Sequence, residues 1–300
     1  MPKGNFVSIN SELKMIIDNS VIDRFIECAI REDVGDGDHT SLAIIPENVK
    51  GKAQLIIKDK GIIAGVEIAK RIFEKFDPSV IVNIFKLDGS LVKNDDIAFV
   101  VEGKILTILQ CERLVLNVMQ RMSGIATQTN KYVERLKGFK TKVLDTRKTT
   151  PGMRLLDKWA VKLGGGENHR IGLYDMILIK DNHIDFAGGI ENAINAVKAY
   201  LKQHKKTMKI EVEARNLDEV KKIVAIGGIH RIMFDNFDIK TTRKAVRLIN
   251  GKYETESSGG ITIDSLRDYA KCGVDYISVG AITHQIRSLD MSLKAIDNNI

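Results

Sequence analysis

Two patterns of apolar residues divide the chain. In the N-terminal part, apolar residues recur at helical spacing over residues 16–30 and predict an amphipathic helix. Short apolar runs bounded by turn residues then predict strands at residues 53–57, 62–64, 80–85 and 97–101. Because these helix and strand patterns alternate irregularly, we expect a small N-terminal domain of helices and a sheet.

A regular alternation of strand and helix patterns follows a long predicted helix at residues 114–137. Six apolar runs predict strands at residues 142–145, 176–180, 209–213, 231–235, 253–257 and 276–280. Helical spacing between them covers residues 187–203, 217–225 and 241–249. Such alternation predicts parallel strands with right-handed crossovers, in either an α/β barrel or a doubly wound sheet.

The ends of these strands favour the barrel. A polar or glycine-rich segment closes each run, whereas the strand starts are mostly ordinary loop sequence. These segments are Thr146-Arg147-Lys148, Lys180-Asp181-Asn182-His183, Glu211 with Glu213, Asp235-Asn236, Ser257-Ser258-Gly259-Gly260, and Gly280. Barrel enzymes gather their catalytic groups at the C-terminal ends of the strands, so we expect these side chains to face one barrel mouth.

Composition is that of a globular protein. The chain has 300 residues, 44% hydrophobic and 28% charged, which suffices for one large domain or two smaller ones. No apolar stretch approaches the roughly 18 residues of a membrane span, and residues 1–14 lack signal-peptide order. We therefore expect a cytoplasmic protein with no membrane partner. Cys28, Cys111 and Cys272 lie too far apart in sequence for a zinc knuckle or a disulfide framework.

The net charge of +7 indicates an anionic partner. Aromatic residues make up 6% of the chain and do not interleave with the basic ones, so we do not expect a nucleic-acid stacking platform. Six cations lie just outside the predicted core elements. They are Arg113, Arg147, Lys148, His169, Arg170 and Lys180. Arginine forks bind carboxylates and phosphates, so their convergence would indicate a multiply charged anion.

Acidic and glycine-rich segments complete the predicted site. Glu213 and Asp235 end successive strands, and two carboxylates beside a phosphate-rich ligand suit Mg²⁺. The turn at residues 258–260 leads into a predicted helix at residues 263–271, and Gly280-Ala281 follows the last strand. Backbone N–H groups in the final two turns of a barrel are a recurrent phosphate site. The acidic run at residues 32–39 fails the EF-hand pattern and predicts a structured loop.

The chain resembles the quinolinate phosphoribosyltransferases, also called carboxylating nicotinate-nucleotide pyrophosphorylases. The resemblance runs through nearly the whole chain. It rests on the segments EDVGDGDHTS at 32–41, LNVMQRMSGIAT at 116–127, DTRKTTP at 145–151, GGGENHR at 164–170, LIKDNH at 178–183, EVE at 211–213, MFDNF at 233–237 and ESSGGIT at 256–262. Few other families combine these segments in this order.

The resemblance implies a fold and an assembly. Residues 1–112, completed by about residues 287–300, would form an N-terminal α/β sandwich, and residues 113–286 an incomplete α/β barrel of the type II phosphoribosyltransferases. The enzyme would be a homodimer in which Arg113 reaches the neighbouring subunit's site. Its activity would join quinolinate to phosphoribosyl pyrophosphate and release CO₂, pyrophosphate and nicotinate mononucleotide, a step of de novo NAD biosynthesis.

The resemblance also implies residue roles. Cations at Arg147, Lys148, His169, Arg170 and Lys180 would hold the quinolinate carboxylates and part of the pyrophosphate, with Thr146 beside them. Glu213 and Asp235 would serve the ribose hydroxyls and Mg²⁺, directly or through substrate and water. Residues Ser258, Gly259, Gly260, Val279, Gly280 and Ala281 would take the 5′-phosphate region. We expect Lys148, Lys180, Glu213 and Asp235 to act in catalysis, with Lys148 the candidate that protonates C2 or positions the departing carboxylate.

Three alternatives stay open at the level of sequence. A phosphoribosyltransferase for nicotinate or another ring carboxylate would need fewer cations than one that binds two ring carboxylates. A Schiff-base aldolase on the same barrel would use Lys180, although charged neighbours disfavour the neutral amine that it needs. A nucleic-acid-binding protein is suggested only by the basic charge.

Overall fold

The computed structural model describes residues 19–296, and its contacts divide the chain into two units. The first unit contains the residues up to Thr127, Thr150–Gly164 and the residues from Ile286 onward. The second contains Gln128–Thr149 and Gly165–Gln285. The first three residues of the helix predicted at 16–30, and the last four residues of the tail predicted at 287–300, lie outside the described residues.

An antiparallel sheet organises the first unit. Its order is β12-β1-β5-β3, and a separate pair joins β2 to β4. The strands are β1 (Lys50–Ile57), β2 (Gly61–Ile62), β3 (Ile81–Ile84), β4 (Leu91–Val92), β5 (Ile97–Lys104) and β12 (Met291–Ile296). The C-terminal strand β12 therefore completes a sheet that is otherwise built from residues 50–104, through six residue pairs with β1.

The first unit also contains helices, and the apolar face of one of them packs on this sheet. They are Asn19–Val34, His39–Ile44, Val66–Phe76, Arg154–Leu163 and most of Ile105–Arg135. Phe73 of the third helix meets Phe99 of β5 edge to face, with ring centroids 6.1 Å apart, and both rings are fully buried. Arg71 of the same helix donates two hydrogen bonds to Asp23, which ties it to the first helix.

The SGIAT part of the resemblance segment at 116–127 joins the long helix to its neighbours in the first unit. Ser123 Oγ accepts a hydrogen bond from Ala64 N at 2.8 Å, and Thr127 Oγ1 accepts one from Ile62 N at 2.9 Å. A Cβ on Gly124 would overlap the carbonyl oxygen of Arg287. The two hydroxyls thus pair with backbone N–H groups of the short strand β2 and of the segment that follows it, and the glycine allows the close approach.

A six-stranded parallel sheet organises the second unit. Its order is β6-β11-β10-β9-β8-β7. The strands are β6 (Lys142–Leu144), β7 (Ile177–Ile179), β8 (Ile210–Ala214), β9 (Arg231–Asp235), β10 (Glu254–Ser258) and β11 (Tyr276–Ser278). Among the described residues no pairing closes β6 onto β7, so the sheet has the strand order of a barrel that stays open at one seam. The incomplete α/β barrel is thereby confirmed.

Helices alternate with these strands, as predicted. They are Asp181–Phe186, Ile190–Gln203, Leu217–Ile226, Ile239–Ile249, Leu266–Ala270 and Ala281–His284. Within residues 19–296, no helix combines the length and the hydropathy that crossing a membrane requires.

The structure differs from the sequence predictions at the long helix. That helix spans Ile105–Arg135 instead of residues 114–137, since buried Ile108 and Cys111 continue its apolar face and no turn residue separates it from β5. The predicted domain boundary at residue 112 consequently lies inside the helix. Arg113, predicted to precede the helix, is one of its exposed residues.

Candidate active site

The C-terminal ends of β7, β8 and β9 bring three predicted site residues together. Lys180 directly follows β7, and its Nζ lies 3.9 Å from Glu213 Oε2 on β8. Asp235 ends the neighbouring strand β9. Parallel strands present their ends at one edge, which is why Lys180 and Glu213 face one another although they are 33 positions apart in sequence.

The two carboxylates of this edge repel each other. Glu213 is only 6% exposed, and burial raises the pKa of its carboxyl, with the nearby charge of Asp235 raising it further. Lys180 acts in the opposite direction and favours the ionised carboxylate. The charged form of Glu213 is thus disfavoured, and a bound cation would stabilise it. Because carboxylate oxygens are also the ligands that Mg²⁺ prefers, the residues present fit this ion.

Two predicted arginine ligands also converge. Burial lowers the pKa of the Arg170 guanidinium, and the like charge of Arg147 lowers it further, which places the two cations close together. Arg170 is 8% exposed and donates through Nη1 to the carbonyl oxygen of Met176. Its buried Nε has no hydrogen-bond partner within residues 19–296. A buried donor without a partner, beside a second cation, is the arrangement expected of an anion-binding site.

The turn after β10 holds the predicted phosphate glycines in left-handed conformations. Gly259 has φ +99° and Gly260 has φ +59°. A Cβ on Gly259 would collide with the side chain of Asn236, and the Ser258 carbonyl accepts a hydrogen bond from Asn236 N at 2.9 Å. The predicted helix at residues 263–271 is shorter, Leu266–Ala270, so any phosphate here would meet the turn's own N–H groups and not a helix terminus.

The end of β11 lies against the end of β6. Val279 N donates to the carbonyl oxygen of Leu144 at 2.9 Å, and Ala281 begins a four-residue helix after Gly280. A Cβ on Gly280 would lie 3.1 Å from Lys148 Cδ and 3.0 Å from His284 Nε2. Lys148 and the last predicted phosphate turn are therefore neighbours, and sequence reasoning missed His284 beside them.

His169, a predicted substrate ligand, is buried and held by hydrogen bonds within the protein. Its side chain is 6% exposed, and its backbone N–H donates to Asp145 Oδ1 at 2.8 Å. The ring Nδ1 accepts a hydrogen bond from Arg170 N at 2.8 Å, which leaves the proton on Nε2, 2.8 Å from Glu211 Oε2. Both ring nitrogens are engaged within the protein, and the Nδ1 contact supports the Arg170 backbone, whereas contact of His169 with the substrate stays a prediction.

A buried charge cluster surrounds Glu211. Arg231 on β9 donates to Glu254 and Glu256 on β10 at 3.0 Å each and lies 3.9 Å from Glu211 on β8. Burial raises the pKa of Glu211 to about 7 and that of Glu256 to about 8. The mutual repulsion of these two carboxylates raises the pKa of Glu256 further, against the attraction of His169 and Arg231.

Sequence reasoning did not identify this cluster, although its signal is present. Charges alternate along strands that a parallel sheet buries on both faces, and such charges must be paired. Among the described residues, His169, Glu211 and Glu256 have the spacing of a metal site. Arg231 already neutralises two of them, so we assign the cluster to ion pairing and keep the metal prediction at Glu213 and Asp235.

Two family models match the chain. The model of the quinolinate phosphoribosyl transferase C-terminal domain matches residues 125–294, and that of the N-terminal domain matches residues 38–123. The chain belongs to the quinolinate phosphoribosyltransferase family. The resemblance inferred from the sequence is therefore confirmed. Both family domains contribute predicted site residues, since Arg113 falls in the N-terminal match and the others in the C-terminal match.

Relatives of this family align with most of the chain. A chloroplastic nicotinate-nucleotide pyrophosphorylase [carboxylating] of Oryza sativa subsp. japonica is 46% identical over 284 residues, which cover 90% of this chain and 76% of the relative. A probable nicotinate-nucleotide pyrophosphorylase [carboxylating] of Bacillus subtilis (strain 168) is 41% identical over 268 residues, covering 89% and 91%. The crystal structure of NadC from Streptococcus pyogenes superposes with a TM-score of 0.87 at 37% identity, covering 94% and 99%.

Proposed function

We propose that the protein transfers the phosphoribosyl group of phosphoribosyl pyrophosphate to the ring nitrogen of quinolinate and releases CO₂ and pyrophosphate. It is a pentosyltransferase, nicotinate-nucleotide diphosphorylase (carboxylating), of de novo NAD biosynthesis. Membership of the family and the names of its relatives support this function. The observation that carries it to this chain is the convergence of Arg147 and Arg170, whose buried Nε has no protein partner in the described part of the chain.

The first chemical step forms the bond between the quinolinate nitrogen and C1 of the ribose. The C1–oxygen bond breaks, and its electron pair leaves with pyrophosphate. Arg147 and Arg170 would hold the two ring carboxylates, and Lys180 would face the developing negative charge. Glu213 and Asp235 would bind the ribose hydroxyls and Mg²⁺, and a bound Mg²⁺ supplies charge neutralisation for the leaving pyrophosphate.

The second step breaks the bond between C2 and its carboxylate. The electron pair stays on C2, next to the positively charged ring nitrogen, and CO₂ departs. A proton then reaches C2, and Lys148 is our candidate for delivering it or for orienting the carboxylate. The turns at Gly259 and Gly280 would hold the 5′-phosphate through backbone N–H groups.

The assembly and location follow as part of the proposal. We propose a homodimer in which Arg113 completes the site of the neighbouring subunit, since Arg113 is exposed on its own helix. A cytoplasmic location and the absence of nucleic-acid and membrane partners stay predictions. The rice relative is named as chloroplastic.

Product analysis tests the function. With quinolinate, phosphoribosyl pyrophosphate and Mg²⁺, chromatography should detect nicotinate mononucleotide and pyrophosphate, with CO₂ in equal amount. A chelator should abolish turnover, and nicotinate should be a poor substrate. Comparable turnover of nicotinate would establish the alternative substrate. Trapping of the protein by borohydride would instead support the Schiff-base alternative at Lys180, although a carboxylate lies 3.9 Å from that amine.

Matched arginine variants test the anion site. Arg147→Ala should lower kcat/KM for quinolinate by roughly 10²-fold, because it removes a charge-assisted contact that is stronger in the transition state. Arg247→Ala removes an exposed arginine from the helix Ile239–Ile249 and should have no effect. Equal activities of the two variants would contradict the assignment.

A further inference from the structure

The backbone of Lys148 is held at both of its polar groups. Lys148 N donates to Thr146 Oγ1 at 3.0 Å, and the Lys148 carbonyl accepts a hydrogen bond from Thr283 Oγ1 at 2.8 Å. Thr283 lies in the short helix after β11, 135 positions further along the chain. The two contacts fix the peptide units on either side of the lysine that we expect to act at C2.

Such a backbone restraint matters because the Lys148 side chain is exposed. An exposed lysine samples many rotamers, and ordering it costs about 2 kcal/mol of conformational entropy. Its Cδ lies against Gly280, where an added Cβ would lie only 3.1 Å away. With the backbone fixed and the stem against this glycine, the amine has fewer directions available.

Thr283 lies where it can restrain the Lys148 backbone. Its side chain is fully buried, and the same hydroxyl also approaches the Gly280 carbonyl at 3.1 Å. One buried hydroxyl therefore contacts both segments whose proximity places Lys148, the end of β6 and the end of β11. A purely structural role would make the same contacts, so the two roles must be separated by experiment.

We propose that Thr283 is a positioning residue that holds the Lys148 backbone so that its amine is aimed at the reacting C2 carbon. The proposal rests on the function proposed above and on the role of Lys148 within it. Thr283 is fully buried, so it would act through Lys148 and not through a contact with the substrate. Misplacement of a reacting group by about 1 Å can lower a rate by about 10²-fold. A smaller displacement of the Lys148 amine should therefore lower kcat by roughly 10-fold.

The test variant is Thr283→Val, which replaces the hydroxyl by a methyl group of similar size. We expect kcat to fall by roughly 10-fold while KM for phosphoribosyl pyrophosphate stays within about 2-fold. The substitution should change the orientation of the Lys148 amine and leave ground-state binding of the substrate unchanged. Thr283→Ser keeps the hydroxyl and should retain wild-type kcat. If Thr283→Val proves too unstable, Thr283→Cys, with a weaker donor, should give an intermediate loss.

Thr141 offers a matched control at the opposite end of the same strand pair. Its buried hydroxyl donates to the Val274 carbonyl at 2.7 Å and joins the start of β6 to the segment before β11, across 133 positions. Thr141→Val therefore removes a similar buried bond between the same neighbours and should leave kcat unchanged. An equal loss of kcat in Thr141→Val and Thr283→Val would reduce Thr283 to a stabilising residue and overturn the proposal.

A double-mutant cycle decides whether Thr283 acts through Lys148. In a Lys148→Ala background, Thr283→Val should cost no further activity, because the group that it positions is gone. A further loss equal to that seen in the wild type would overturn the proposal. Amide hydrogen exchange of residues 144–150 should be faster in Thr283→Val than in Thr141→Val, and equal rates would also overturn it. This exchange readout needs no activity, so failure of the proposed function would appear separately, as a wild-type enzyme inactive on quinolinate.

Discussion

At the scale of single residues, burial raises the pKa of the Glu213 carboxyl. Glu213 was expected at an open barrel mouth, but it is buried, and its charge is disfavoured by desolvation and by Asp235. Lys180 offsets this cost only in part, because it lies 3.9 Å away and is half-exposed. A divalent cation held by Glu213 and Asp235 would offset the repulsion between their charges.

The first residue-scale prediction concerns these acids. Glu213→Ala and Asp235→Ala should each lower kcat by roughly 10²-fold, the scale of losing one transition-state contact. Urea unfolding should show no loss of stability in Glu213→Ala, because the substitution removes a charge that burial disfavours. Asp218→Ala, at an exposed helix start, is the matched control and should be fully active. If the first two variants stay active, the assignment of Glu213 and Asp235 as ribose and metal ligands is wrong.

The buried pair Glu211 and Glu256 predicts a pH dependence of stability. Both carboxyls have a raised pKa in the folded state, so the folded chain holds their protons more tightly than the unfolded chain. Their stabilising contribution is therefore complete below about pH 4.5, the usual glutamate range, and is lost as pH rises through about 7 to 8. Each proton involved changes the free energy of unfolding by at most about 1.4 kcal/mol per pH unit in this interval.

Urea unfolding between pH 6 and pH 9 measures this effect. Wild-type stability should decline over the interval, and Glu256→Gln should flatten the decline, because the amide cannot ionise. Glu254 contacts the same Arg231 but is more exposed. The Glu254→Gln variant should therefore keep the wild-type dependence of stability on pH. If stability depends on pH in the same way in all three proteins, then Arg231 and His169 fully offset the effect of burial on Glu211 and Glu256.

At the scale of elements, the long helix depends on a close approach to the C-terminal segment. Gly124 lies inside the helix Ile105–Arg135, where glycine costs about 1 kcal/mol relative to alanine. That cost is tolerated because a Cβ at position 124 would overlap the backbone carbonyl oxygen of Arg287. The end of a flexible side chain could move out of the way, but a backbone carbonyl cannot do so easily. Ser123 and Thr127 bind the neighbouring strand segment from the same helix.

Gly124→Ala tests this balance. Helix propensity alone would stabilise the variant by about 1 kcal/mol, whereas the backbone overlap should destabilise it by about 2 kcal/mol net, the scale of overpacking. Thermal or urea unfolding measures the difference. Asn117→Ala changes an exposed position of the same helix and should be neutral or slightly stabilising. A gain of stability in Gly124→Ala would show that the segment at Arg287 can move away.

At the scale of the whole molecule, we propose that residues of two chains build each active site. All the predicted site residues except Arg113 belong to the second unit, and Arg113 is exposed on a helix of the first. Hybrid dimers test whether Arg113 acts across a subunit interface. Arg113→Ala and Lys180→Ala should each be nearly inactive, and equal amounts refolded together should yield hybrids as half of the dimers.

In each hybrid, one site would carry both defects and the other neither. About a quarter of all sites should then be intact, and activity should recover to about that fraction of wild type. Mass spectrometry confirms that hybrids have formed. Confirmed hybrids without recovered activity would place the action of Arg113 within its own subunit, or show that it serves only folding.

The sequence by itself determined the alternation of strands and helices in the second unit, because that pattern depends on local periodicity. It also placed the candidate site residues at strand ends, since parallel strands deliver their ends to one edge. Lys180, Glu213 and Asp235 could be assigned to that edge without coordinates, and the family could be identified from the order of the segments.

Only the tertiary structure decided which side chains face one another. The cluster of Glu211, Arg231 and Glu256 spans three strands, and strand periodicity does not reveal which charges pair across a sheet. The contact of Thr283 with Lys148 joins residues 135 positions apart, and it depends on β11 lying beside β6. Local patterns predict elements because they involve neighbouring residues. Contacts between distant residues depend on how those elements pack, which the order of residues does not state directly.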